Sequence, residues 1–65
     1  MEKIFQLAEK IQKESKGIIR DYKNNHVDYE FANGVVISND IILGEIENIW
    51  DINLSDYKVD INFDQ

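Results

Sequence analysis

At His26 the spacing of apolar residues changes, and that change restricts the folds open to this chain. Upstream, Ile4, Ala8, Ile11, Ser15, Ile18 and Tyr22 recur at alternating intervals of four and three. This is the stripe of an amphipathic helix, widened by Phe5, Leu7 and Ile19. Downstream, Val27, Tyr29 and Phe31 alternate with Asp28, Glu30 and Ala32, which is the period of a half-buried strand. A change of period from about 3.6 to 2 predicts one helix followed by strands.

The helix is expected over about residues 2–23. Gly17 interrupts it, but Ile18 and Tyr22 continue the stripe, so Asn24-Asn25 is the expected stop. Strands are expected at about 27–32 and 35–38, joined by Asn33-Gly34, a pair that suits the positive φ angles of a tight hairpin turn. That hairpin sets Phe31 opposite Val36 on its inner face. The stretch IILGEIENIWDI fits two patterns. Ile42, Ile46, Ile49 and Trp50 share a helical face, whereas Ile42, Gly44, Ile46, Trp50 and Ile52 share a strand parity. Its isoleucines, with Gly44 and Asn48 inside, favour a strand at about 42–50, the alternative being a second short helix at about 41–50. The final strand is expected at about 57–63, where Tyr57, Val59, Ile61 and Phe63 alternate with polar residues. The expected fold is therefore α+β: one N-terminal amphipathic helix packed on a three- or four-stranded antiparallel β-meander, in a single domain spanning 1–65.

Charge adds a second asymmetry. The net charge is -6, yet residues 1–25 sum to +2 and residues 26–65 to -8, with Lys58 the only cation in the second part. On the expected sheet, Asp28, Glu30, Glu45, Glu47, Asp51, Asp56, Asp60 and Asp64 collect on the outer face as a candidate partner-binding surface. Carboxylates two residues apart on a strand lie roughly 6.6 Å from each other.

Several activities are disfavoured. Catalysis needs convergent polar groups in a pocket of ~300 Å³ or more, and the one histidine, His26, stands at an element boundary with no thiol or threonine in the chain to activate. The chain is therefore expected not to be an enzyme. The acidic stretch 51–56 lacks the glycine and terminal glutamate of a calcium loop, so no metal ligand is assigned. Gly17, Gly34 and Gly44 are isolated rather than gathered into a phosphate loop, and no cofactor is expected. Direct nucleic-acid binding is disfavoured because the cations of the helix, Lys3, Lys10, Lys13, Lys16, Arg20 and Lys23, are interleaved with Glu2, Glu9, Glu14 and Asp21. No stretch approaches the ~20 apolar residues of a membrane span. Absence of cysteine and of an apolar leader fits a cytoplasmic setting.

Two functional expectations remain, both placing a protein partner on this chain. In the first, the acidic face mimics DNA and binds a basic nucleic-acid-handling host protein, in the manner of small inhibitors carried by phages and mobile elements. In the second, the greasy run Val35, Val36, Ile37, Ile41, Ile42 and Leu43 exceeds what one helix can cover. Val35, Ile37, Ile41 and Leu43 would then serve a homodimeric or accessory interaction module, with the acids serving solubility.

Overall fold

The computed structural model describes residues 2–64, and among them there is no strand. Helix α1 runs Glu2–Lys23 and helix α2 runs Tyr29–Trp50. The two form an antiparallel hairpin, and residues 51–64 fold back along it with a single 3₁₀ turn at Ser55–Tyr57.

Both helices are delimited by local chemistry. At the end of α1, Asn25 takes the left-handed conformation at φ 63°, the His26 N–H donates to Asp21 O at 2.8 Å and the Asn25 N–H to Tyr22 O at 3.0 Å. This paired arrangement satisfies carbonyls that the helix leaves orphaned. Five residues on, Asp28 caps α2, its Oδ1 accepting from the Phe31 N–H at 2.8 Å. Asp51 ends α2 in the left-handed conformation at φ 53°.

The α1 stripe packs on a matching one in α2: Tyr29, Ala32, Val36, Asn39, Leu43, Ile46 and Trp50, again at alternating threes and fours. Ala8, Ala32 and Val36 are fully buried, and such small side chains let the two backbones approach closely. The seam also buries a polar pair. Asn39 Nδ2 donates to Ser15 Oγ and to Glu14 Oε1, each at 3.0 Å, and no buried side-chain polar atom among the described residues is left without a partner. Leu54 reaches back from the tail to complete the largest buried cluster with Ala8 and Leu43, with Ile11, Ile46, Ile52 and Tyr57 around it.

This architecture corrects the expected α+β fold. The predicted strands at 27–32, 35–38 and 42–50 fall in or against one 22-residue helix, which also replaces the shorter helix considered for 41–50. Asn33-Gly34 lies inside α2, and no described glycine has positive φ. Phe31 and Val36, expected to face each other across a hairpin, lie on different sides of α2: Val36 is buried and Phe31 is 56% exposed. At 57–63 the chain leaves its 3₁₀ turn as an irregular segment with a bend at Ile61 and pairs with no strand. The physical reason is that tertiary packing outweighs intrinsic propensity: glycine and the β-branched residues cost α2 on the order of 1 kcal/mol or less each. Burial of a Val or Leu side chain returns roughly 1.5–3 kcal/mol.

Two substitutions test this fold. Gly34→Ala, where an added Cβ meets nothing within 4 Å, should stabilise the protein by about 1 kcal/mol in chemical denaturation. In a tight hairpin turn with positive φ, the same change destabilises. Asn39→Ala should cost about 1–3 kcal/mol, because it leaves Ser15 buried without its partner.

Candidate interaction surface

Each residue of the α2 seam has neighbours one position before and one after, about 100° away on either side. The two flanks differ in chemistry. On the following flank stand Asn33, Asp40 and Glu47, seven residues apart, and all three hold the tail. Asn33 Nδ2 donates to Ile61 O at 3.5 Å, Asp40 Oδ1 accepts from the Val59 N–H at 3.1 Å, and Glu47 Oε2 accepts from the Leu54 N–H at 2.7 Å. From α1, Gln12 Nε2 donates to Asp56 O at 3.0 Å, and Phe5 packs against Tyr57. Near the interhelical loop, Phe63 meets Tyr22 and Tyr29 with ring centroids 5.6 and 5.5 Å apart. The tail thus closes one side of the hairpin.

The preceding flank is different. Phe31, Val35, Ser38, Ile42, Glu45 and Ile49 form a row along α2, with Phe31 56%, Ile42 43% and Ile49 77% exposed. Between this row and α1 lies an open groove of about 540 Å³, lined by Glu14, Glu30, Phe31, Val35, Ser38 and Ile42 among others. Leu7, on the same side of α1 by its spacing from Glu14, is 48% exposed. Helix α2 is therefore apolar on more than its buried seam, a pattern expected of a helix enclosed on several sides.

The acids expected on one sheet face are distributed over several parts of the molecule. Asp28 caps the start of α2 and Asp51 terminates it. Glu30 lines the open groove, and Glu45 lies in the apolar row beside it. Asp56, Asp60 and Asp64 are exposed along the tail, on the opposite side of the hairpin. Glu47 is a fastening for the tail, since its Oε1 also accepts from Lys58 Nζ at 2.7 Å. Among the apolar candidates, Ile37 and Ile41 are 37% and 57% exposed and Val35 is half-buried, while Leu43 is buried inside the hairpin. Phe31 and Ile49 are not among the contact residues expected from sequence; their spacing from Val35 and Ile42, at four and seven, is the signal that marks them.

Among the described residues no three His, Cys, Asp or Glu side chains converge on a metal position, and no helix is long and apolar enough to cross a membrane. Comparison of the chain with protein-family models, curated proteins and solved structures finds no match.

The Glu47 carboxyl is held below its ordinary pKa, first by the hydrogen bond from Lys58, then by the Leu54 N–H and the charge of Lys58, against a smaller opposing effect of desolvation. A carboxyl whose pKa is lower folded than unfolded contributes stability above its unfolded pKa and loses it as pH falls through the folded value. Glu47→Gln should therefore melt below the parent protein at neutral pH. The gap should narrow as pH falls below about 4.3, the ordinary glutamate value, as thermal melts at pH 7, 4 and 3 would record. An unchanged gap would show that Glu47 titrates without effect on the tail.

Proposed function

We propose that this chain is a non-catalytic protein-interaction module that works through the open side of α2. The observation that carries this reading is the row Phe31, Val35, Ile42 and Ile49, aligned on one flank of a helix and exposed beside a groove. Aligned apolar side chains at helical spacing suit the docking of another helix, whose own apolar face would interdigitate with them. The rim is acidic at Glu14, Glu30 and Glu45, which favours a partner with basic residues beside its apolar stripe.

A second reading rests on charge alone. Residues 26–65 carry nine acids and one cation, and that cation, Lys58, is paired with Glu47. A basic nucleic-acid-handling protein remains a candidate ligand for these acids, with Asp56, Asp60 and Asp64 of the tail as its approach.

The two readings place the contact on opposite sides of the hairpin. A photoreactive residue installed at Ser38, in the groove, or at Asp60, on the tail, should separate them when irradiated in source cells. The interaction module predicts a discrete adduct from Ser38, persisting after a high-salt challenge before irradiation. The charge-driven reading predicts adducts from Asp60 that vanish at high salt. No adduct from Ser38 in either condition would remove the groove as the working surface.

A further inference from the structure

We infer that the occupant of the open groove is a second copy of this chain, with α1 of each copy lying over α2 of the other in an antiparallel four-helix bundle. The inference rests on the interaction reading above and names the partner of the same surface.

Charge argues for it first. Helix α1 holds six cations, Lys3, Lys10, Lys13, Lys16, Arg20 and Lys23, against four acids, Glu2, Glu9, Glu14 and Asp21, whereas α2 holds Glu30, Asp40, Glu45 and Glu47 and no cation. Within one copy these helices are neighbours along the seam only. On the open side, Lys3, Leu7, Lys10, Glu14, Gly17 and Asp21 make a row on α1 with its cations toward the start, and Phe31, Val35, Ser38, Ile42, Glu45 and Ile49 make the row on α2. A two-fold axis parallel to the helices lays each α1 row across the α2 row of the other copy, antiparallel, without axial displacement. The Ser15–Asn39 contact fixes which levels of the two helices coincide. By that register Lys10 comes level with Gly44 and Glu45 of the partner subunit, so its ammonium meets a carboxylate. The opposite choice, α2 on α2, sets acid against acid.

Size argues for it next. The molecule measures 37 × 16 × 16 Å and exposes 4693 Å². One long side therefore carries about a fifth of that surface, on the order of 900 Å², which is what each partner contributes to a stable interface of standard size. Among the described residues the apolar side chains fully buried within one copy are five, Ala8, Ala32, Val36, Leu43 and Leu54. A core so small is commonly supplemented by association in chains of this length.

Sedimentation equilibrium of the purified chain tests the inference, and the expected result is a species of twice 7.6 kDa with a melting temperature that rises with concentration. Ile42→Glu, in the groove, should raise the dimer dissociation constant about tenfold or more. Ile41→Glu, comparably exposed but on the outward side of α2, should leave it within about twofold. Circular dichroism of each variant reports whether the hairpin is retained. As a second line, Lys10→Glu or Glu45→Lys alone should weaken the dimer and the two together should restore it. A chain that stays monomeric at millimolar concentration overturns the inference, and so does a dimer indifferent to Ile42→Glu. A double charge reversal no better than the singles overturns the α1-over-α2 arrangement. If the chain is monomeric while Ser38 still captures a different protein, the second copy fails and the interaction reading stands.

Discussion

The hydrogen bond between Asn39 and Ser15 sets the rest of the structure. Two helices with alternating stripes of three and four can slide past each other by a turn and still bury apolar surface, so the stripes alone leave the alignment undefined. A polar pair inside the seam removes that freedom. If the helices slip, Asn39 and Ser15 become buried without partners, at about 1–3 kcal/mol for each group. Single buried polar residues fix register in coiled coils for the same reason. Here Glu14 adds a second acceptor to Asn39 from the groove side, so the pair links the buried seam to the exposed rim.

Once that register is set, the rows on either flank of the seam acquire definite neighbours. Asn33, Asp40 and Glu47 come to lie along one line and accept the returning tail, which drops Leu54 into the cluster of Ala8 and Leu43. The tail in turn screens Tyr22 and Tyr29 through Phe63. Three separated segments of sequence therefore share one small core, and removing the tail would take Leu54 out of it.

The first helix was legible because its stripe has no competing period, and Ile18 and Tyr22 carry it past Gly17. The second was not, although its stripe is equally regular. Between Val27 and Phe31 apolar residues also fall on alternate positions, so Tyr29 satisfies period two locally while starting a longer pattern of threes and fours. Asn33-Gly34 then reads as a turn, and the isoleucines of 41–49 as a strand. The local period masks the longer one. Asp28 suits an acidic strand face as well as a helix cap, and only the helix that follows decides between them. The alternation at 57–63 is true in part: Tyr57, Val59 and Phe63 are half-buried and Lys58, Asp60 and Asp64 are exposed, but Ile61 is 42% exposed. It reports an irregular segment lying on helices, which sequence periodicity cannot distinguish from one lying in a sheet. Of the apolar candidates Val35, Ile37, Ile41 and Leu43, only Val35 lies on the open flank, because that flank is defined by where the tail does not pack.

The two flanks of α2 differ in what they offer a neighbouring backbone. An extended segment carries N–H and C=O groups with no internal partners, and against a helix it finds no strand to supply them. The helix must therefore offer side-chain acceptors and donors, and Asn33, Asp40 and Glu47 do so for Ile61, Val59 and Leu54. A helix approaching the other flank has its backbone satisfied internally and asks only for apolar surface and compatible charge. Phe31, Val35, Ile42 and Ile49 give that flank apolar surface, and Glu30 and Glu45 give it negative charge. The polar flank holds the backbone of the tail, and the apolar flank is left open.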